Sequence, residues 1–212
     1  MKEEINSSRN KDTIDISKLA TPQRIEKIKN VVSKRQPGLT VVLENVHDPH
    51  NVSAVFRSCD AVGVIEVCLV YYGGYSFPNL AEKSSASARK WVMQKKFTSI
   101  EECYAYLRSE GKKIYSTGMN NESVSLYNLD LRESIALVFG NEHSGVSAEA
   151  IKSADGNFTI PQVGMIQSLN ISVACAVSLF EAFRQRESAG FYERLQLGET
   201  TYTSLVKEWL LK

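Results

Sequence analysis

Amide, hydroxyl, imidazole and carboxylate side chains are concentrated in four short loops of this 212-residue chain. Residues 44–51 carry Asn45, His47, Asp48, His50 and Asn51, and residues 117–121 carry Thr117 and Asn120. Residues 140–146 hold Asn141, Glu142, His143 and Ser144, and residues 161–170 hold Ser168 and Asn170. A loop rich in small and amide residues that opens a helix offers unpaired backbone N–H groups to whatever lies at its mouth. The stretch 160–183, IPQVGMIQSLNISVACAVSLFEAF, has that form: Pro161, Gly164 and the trio Ser168-Leu169-Asn170 lead into an apolar helix. In outline this is a seat for a small molecule or an anion, although an ordinary loop before a core helix has the same outline.

Glu142 suits a general base, or a loop carboxylate that pairs with a nearby cation. His47 and His50 are three apart but have no recognisable further ligand spacing, so no metal is expected. Arg57, two turns into the helix after the first loop, reads by itself as a surface charge. The chain lacks G-x-G-x-x-G and G-x-x-x-x-G-K-[ST], so a dinucleotide or P-loop site has no support. It also lacks G-x-S-x-G, which weakens a hydrolase reading.

Hydrophobic spacing supplies the elements that must position these loops. Thr21-Pro22 opens a helix striped by Ile25, Ile28, Val31 and Val32, and Pro37-Gly38 stops it. Residues 41–43 form a short buried strand, followed by a helix with Val52, Val55, Phe56, Cys59 and Val62 on one side, closed by Gly63. With the apolar strand at 65–72 this makes a βαβ unit. Residues 73–91 read as loop and short helix. Thr98-x-x-Glu101 reads as a capping box for the helix bearing Ile100, Tyr104 and Leu107. Strands follow at 113–117, 135–139 and 157–160, with Ser147 capping a short helix between the last two.

The helix from Ile171 has a stripe of Ile171, Cys175, Ser178, Leu179 and Ala182. Val173, Ala176, Val177, Phe180 and Phe183 add apolar residues elsewhere, so burial over most of its surface is expected. A C-terminal helix presents Leu205, Val206, Trp209 and Leu210. Buried strands alternating with helices give an α/β fold with a mainly parallel sheet flanked by helices. Ligands of such sheets bind beyond the carboxyl ends of the strands, where all four polar loops lie.

An apolar share of 43% and a charged share of 23% are those of a soluble globular protein. No apolar run reaches the roughly 18 residues of a membrane helix. The opening MKEEINSSRNKDTIDISK lacks the apolar core of a signal peptide, so a cytoplasmic location is expected. Cys59, Cys68, Cys103 and Cys175 lie in apolar segments without C-x-x-C spacing and read as reduced core residues.

The net charge of +1 is unevenly spread. Residues 1–35 carry nine Lys/Arg against five Asp/Glu, and residues 81–96 carry Lys83, Arg89, Lys90, Lys95 and Lys96 against Glu82 alone. Two basic segments on a near-neutral chain suit a polyanion gripped locally. The expected organisation is a polar tail over 1–20, one domain over 21–188 and a helical extension over 189–212.

Three segments taken together resemble the ordered motifs of the SPOUT superfamily, within it the TrmH-type RNA ribose 2′-O-methyltransferases. They are Asn51 with Arg57, LVFGNEHSG at 137–145, and IPQVGMIQSLNISV at 160–173. The likeness spans about residues 20–185, and the leader KRQPGLTVVLENVHDPHN at 34–51 is similar to the subgroup acting on guanosine 18 of tRNA.

The resemblance implies an α/β domain whose C-terminal segment forms a deep trefoil knot, against the general rule that chains do not thread loops. It implies homodimers with the active site at the interface, and S-adenosyl-L-methionine (AdoMet) held in the knot near Thr117, Gly118, Gly140, Ile160 and Leu169. It sets Arg57, Glu142, Asn170, Ser168 and Asn51 at catalytic or architectural positions, with Glu142 and Asn51 orienting the Arg57 guanidinium. A guanidinium with a pKa above about 12 is a poor base, so Arg57 suits a fork that holds a phosphate and the 2′-oxygen. On this reading tRNA is gripped by Arg24, Lys27, Lys34, Arg35, Lys83, Arg89 and Lys90. The alternatives are a ribosomal RNA ribose methyltransferase and a catalytically silent RNA-binding relative.

Overall fold

The computed structural model describes residues 20–78, 88–118, 122–166 and 168–212. The expected tail, apart from Ala20, lies outside these residues, as do Lys83 and Asn120. Seven strands form one sheet: β1 (Leu39–Glu44), β2 (Glu66–Val70), β3 (Met93–Phe97), β4 (Lys113–Thr117), β5 (Val124–Ser125), β6 (Ile135–Phe139) and β7 (Gly156–Thr159). Their spatial order is β3-β2-β1-β6-β4-β7-β5, and every pair is parallel. The register sets Val42 beside Cys68 on one side and Val138 on the other, so β1 and β6 are central.

Parallel strands need helical crossovers, which cover both faces of the sheet. On one face Val41, Leu43, Leu69, Leu137 and Phe139 pack against α2 (Pro49–Ala61) and α5 (Ile171–Ser188). On the other, Val42, Val70, Ala136 and Val138 meet α3 (Ile100–Ser109) and Ala150 of α4 (Ala148–Ser153). A third cluster joins α1 (Pro22–Ser33) to α6 (Glu199–Leu210), with Ile28 and Val32 against Leu205, Val206, Trp209 and Leu210. The N- and C-terminal helices therefore pack on each other at the side of the three-layer body.

Local chemistry explains most boundaries. Thr21 accepts from the Arg24 N–H at 3.3 Å and Pro22 begins α1. Gly63 closes α2 at φ +84°, where an added Cβ would come within 2.7 Å of the Lys34 carbonyl oxygen, so glycine is required for both conformation and space. The cap of α3 is Ser99, not Thr98: Ser99 Oγ accepts from Glu102 N at 3.2 Å. Glu102 reaches back to Thr98 N at 3.3 Å, so the box is displaced by one residue. Strands β3 and β5 lie outside the expected set. β3 reads MQKKF, a polar edge strand without alternation, and β5 has two residues.

The expectation that α5 is buried over most of its surface is corrected. Ile171, Cys175, Ser178, Leu179 and Ala182 are buried, but Val173 and Phe180 are exposed. The sheet covers one face of the helix, and among the described residues nothing covers Val173 and Phe180 on the other.

Near its C-terminal end α5 clasps the segment between β5 and β6. Gln185 accepts from Leu131 N at 2.9 Å and donates to the Leu129 carbonyl at 3.1 Å. Arg186, 1% exposed, donates to the carbonyls of Leu131 (2.9 Å), Glu133 (2.7 Å) and Gly38 (2.9 Å) and to Gln36 Oε1 (3.2 Å). Burial pulls its pKa down to about 10, so it remains cationic at neutral pH. Replacing it with a neutral side chain of similar length strands several acceptors in a dry interior. Arg186→Met should therefore cost about 3–5 kcal/mol, read as a fall in the urea midpoint; a loss under about 1 kcal/mol would mean other groups satisfy these carbonyls.

Candidate active site

The loops leaving β4, β6 and β7 and the start of α5 enclose a cavity of about 670 Å³. That is within the usual range for small-molecule sites. Phe139, Phe158, Ile151, Ile160, Leu169 and Ala174 form its apolar wall, and Thr117, Asn141, Gln162, Ser168 and Asn170 add polar groups. The turn at 141–145 is closed by reciprocal bonds between Asn141 and Gly145, each 2.9 Å. At Gly140 an added Cβ would lie 2.1 Å from the Gly145 carbonyl carbon, so the turn folds back too tightly for any side chain there. Asn141 Oδ1 accepts from His143 N (2.8 Å) and Ser144 N (3.3 Å), which fixes the turn from within.

This turn is fastened to the β1–α2 loop. Asn141 Nδ2 donates to the Asn45 carbonyl at 2.7 Å, and Ser147 N donates to Glu44 Oε2 at 2.9 Å. Asn45 adopts φ +50°, a left-handed conformation that asparagine tolerates, and its Oδ1 accepts from Tyr72 N at 3.0 Å. Glu142 accepts from His47 N (3.0 Å), Asp48 N (3.2 Å) and Asn51 Nδ2 (2.9 Å). Asn170 completes the chain of contacts. Its Nδ2 donates to Asn51 Oδ1 at 3.1 Å, while its Oδ1 accepts from Ser172 N at 2.8 Å and caps α5. One amide thus starts the core helix and ties it to α2.

Partial burial pushes the Glu142 carboxyl up, but the Asn51 amide and the His47 and Asp48 N–H groups outweigh it and hold the pKa below its ordinary 4.5. So engaged, Glu142 fastens the turn after β6 to the β1–α2 loop.

The structure brings Thr117, Gly118, Gly140, Ile160, Leu169, Glu142, Ser168 and Asn170 into the wall of this one cavity. Asn51 is joined to it through Glu142 and Asn170 but does not line it. Arg57 is exposed on α2, outside that wall, and its side chain has no hydrogen bond or ion pair among the described residues. Glu142 and Asn51 therefore bond to each other, to backbone and to Asn170, and neither orients Arg57 within a single chain.

Of the basic residues, Arg24, Lys27, Lys34 and Lys90 are exposed and Arg89 is half-buried. Arg35 is corrected from an RNA contact to a core residue. It is 1% exposed, donates to the Val64 carbonyl at 3.2 Å, pairs with Asp60 and lies 4.8 Å from the Trp209 ring centre. Asn45 and Asn141, which the sequence placed among the polar loop residues without a particular role, turn out to fasten one loop to the other. Among the described residues no group of three or more His, Cys, Asp or Glu is placed to hold a metal.

An all-parallel sheet with a cavity over its carboxyl edge and a helix start beneath defines an α/β protein of a recognisable class. The structure aligns with the Aquifex aeolicus TrmH/SpoU tRNA modifying enzyme at a TM-score of 0.81 and 38% identity, covering 89% of this chain and 95% of that one. It aligns with the SpoU methyltransferase AviRb of Streptomyces viridochromogenes, solved in complex with the cofactor AdoMet, at 0.63 and 25% identity, covering 73% and 60%. The chain belongs to the SpoU rRNA Methylase family, whose sequence profile matches residues 38–180. The tRNA (guanosine(18)-2′-O)-methyltransferase of Thermus thermophilus is 44% identical, covering 91% of this chain and 98% of its own.

The Glu142 contacts give a pH signature. Its folded pKa lies below the unfolded value, so its contribution to stability is present above about pH 4.5 and is lost as pH falls through the lower folded pKa. Thermal unfolding between pH 3 and 7 should show Glu142→Gln with a shallower loss toward acid than the parent (the range spanning roughly the carboxylate values). Parallel curves would detach this carboxylate from the loop's stability.

Proposed function

We propose that the protein transfers a methyl group from AdoMet to the ribose 2′-oxygen of guanosine 18 in the D-loop of tRNA, acting in the cytoplasm. The observation that carries this reading is the convergence of residues 117–118, 139–146, 158–162 and 168–174 on one cavity. The near full-length likeness to a guanosine-18 enzyme supports the choice of nucleotide. The cavity fits AdoMet chemically: its wall is apolar and amide-rich, Gly140 leaves no side chain between backbone and ligand, and an ionised Glu142 stands among the lining residues. When bound, AdoMet supplies a methyl on a sulfonium, a leaving group that needs no acid. The protein has then to align the sugar oxygen with that methyl, and alignment alone can supply roughly 7–11 kcal/mol of the barrier.

Arg57 has the right chemistry for the fork that holds an RNA phosphate and the developing alkoxide. It is exposed and unengaged on α2, which packs against α5. We place the complete site at a homodimer interface. Val163 (106% exposed), Met165 (99%) and Ile166 (73%) precede α5, and Phe180 (52%) continues the apolar surface along it. A second copy covers that surface and brings an Arg57 to a cavity that its own chain does not supply. Sedimentation as a monomer at micromolar concentration would remove this arrangement.

The trefoil knot is part of the same reading. β5 lies outside β7, the chain returns to β6 between β1 and β4, and α5 clasps that return through Gln185 and Arg186. Threading of the C-terminal part of the domain through a loop accounts for this crossing; an experimental trace without such a threading would exclude it. The methyltransferase domain is taken as 21–188 with 189–212 as an extension, and Arg24, Lys27, Lys34, Arg89 and Lys90 as phosphate contacts. Affinity for tRNA should then fall steeply with salt, whereas a flat response would exclude this RNA grip.

The direct test incubates the protein with labelled AdoMet and unmodified tRNA and maps the methylated nucleotide. Label on the ribose of guanosine 18 is expected; label on a base, or on ribosomal RNA alone, would refute the assignment. Arg57→Ala should abolish turnover with AdoMet binding nearly unchanged, and Arg57→Lys should not restore full activity. Equal loss of binding and turnover would make Arg57 structural.

A further inference from the structure

We propose that Glu44 is a positioning residue for the methyl donor: it anchors the base of the cavity turn and so sets AdoMet affinity without touching the ligand. The assignment rests on the AdoMet-binding part of the reading above. Glu44 ends β1, is 1% exposed and does not line the cavity. Residues 140–146 do line it. The residue that follows them, Ser147, donates its backbone N–H to Glu44 Oε2 at 2.9 Å. The other carboxylate oxygen accepts from the Tyr72 hydroxyl. Burial, and then this bond, push the Tyr72 phenol up to about 12, so it stays protonated at neutral pH and keeps donating.

The end of β1 and the loop after it hold the turn along its length. Glu44 takes the N–H at its base, the Asn45 carbonyl takes the Asn141 amide at 2.7 Å, and Glu142 at its tip takes the His47 and Asp48 N–H groups. Residues 44–46 are clamped in turn by the end of β2. Besides the bond to Glu44, Tyr72 N donates to Asn45 Oδ1 at 3.0 Å, and the Tyr71 hydroxyl donates to the Val46 carbonyl at 2.7 Å. Ser147 also caps α4, its Oγ accepting from Ala150 N at 3.1 Å. A shift of Ser147 therefore moves the cavity turn and the start of α4 together.

A carboxylate taken out of water is costly unless it is hydrogen-bonded. The rest of β1 reads LTVVL, and an apolar side chain at its end would suit the same core. What it would lack is an acceptor for the Ser147 N–H and the Tyr72 hydroxyl. Without the carboxylate that half-buried N–H loses its partner, and the turn gains other arrangements. A ligand that binds one arrangement then shows a dissociation constant raised by the inverse of that arrangement's population, while the filled site reacts as before. The signature is weaker AdoMet binding with little change in the rate at saturation.

The test measures, on the full chain, AdoMet affinity by calorimetry, single-turnover methylation of unmodified tRNA at saturating AdoMet, hydrogen exchange over residues 140–147, and the urea midpoint. Glu44→Ala should raise the AdoMet dissociation constant about tenfold or more and leave the saturated rate within about threefold. Tyr72→Phe, which keeps the carboxylate but frees one of its oxygens, should weaken binding about threefold. Glu44→Gln, whose amide oxygen still accepts from Ser147 N, should restore most of the affinity. Exchange over 140–147 should quicken in the order of these losses. Glu44→Ala with AdoMet affinity within about twofold of the parent's and only a lower urea midpoint would overturn the assignment. So would Glu44→Gln as weak as Glu44→Ala, or a fall in the saturated rate with affinity unchanged. Should Glu44→Ala fail to fold, Tyr72→Phe decides, and parental affinity there overturns the assignment. A parent protein that binds AdoMet but leaves ribose unmethylated would overturn the reading above and leave the role of Glu44 standing; one that binds no AdoMet would overturn both.

Discussion

The site depends on one carboxylate and two amides. Glu142 gathers two backbone N–H groups and the Asn51 side chain from the β1–α2 loop, and Asn51 passes the connection to Asn170 at the start of α5. Three segments more than 90 residues apart in places are thereby held in one arrangement. The contacts are charge-assisted or bifurcated rather than hydrophobic, so they fix direction as well as distance. Slackening any of them would let the cavity turn and α2 move independently. Asn170 contributes twice, since the oxygen that caps α5 and the nitrogen that reaches Asn51 belong to the same amide.

Around this lock the chain spends buried charges on architecture and leaves other polar groups free. Arg186 and Arg35 are each 1% exposed and directed at carbonyls, and Glu44, also 1% exposed, is held by Tyr72 and Ser147. Burying a charged side chain is costly unless it is paired or hydrogen-bonded, and these side chains, through the contacts they make, hold strand ends and crossings in register. Arg57 and His143 have no such partners among the described residues. The same residue types thus divide by burial into fasteners and groups available to a ligand. The half-exposed α5 follows a related rule: its inward stripe completes the core, and its outward Val173 and Phe180 remain uncovered among the described residues.

Much of the fold was legible in the sequence because the central strands are short continuous apolar runs, the helices carry period-3.6 stripes, and both end at chemically distinct residues. The α/β class, the caps at Thr21 and Ser147, the stop at Gly63 and the inward stripe of α5 all follow from local spacing. The cavity's polar loops were also visible, because strand ends in a parallel sheet are where side chains converge. β3 was not legible: an edge strand half open to water needs no alternation, and MQKKF has none.

Tertiary structure alone decided the rest, since burial and partnership are properties of distant segments. Arg35 and Lys34 are neighbours in a basic run, yet one enters the core beneath Trp209 and the other stays in water. Glu142 reads as an open loop carboxylate until backbone donors nearly a hundred residues away are brought to it and hold its pKa down. Residue type and spacing set which helices and strands could form and which chemical groups lay between them. Which of those groups were consumed in holding the chain together was fixed only when long-range packing removed water from some and left it around others.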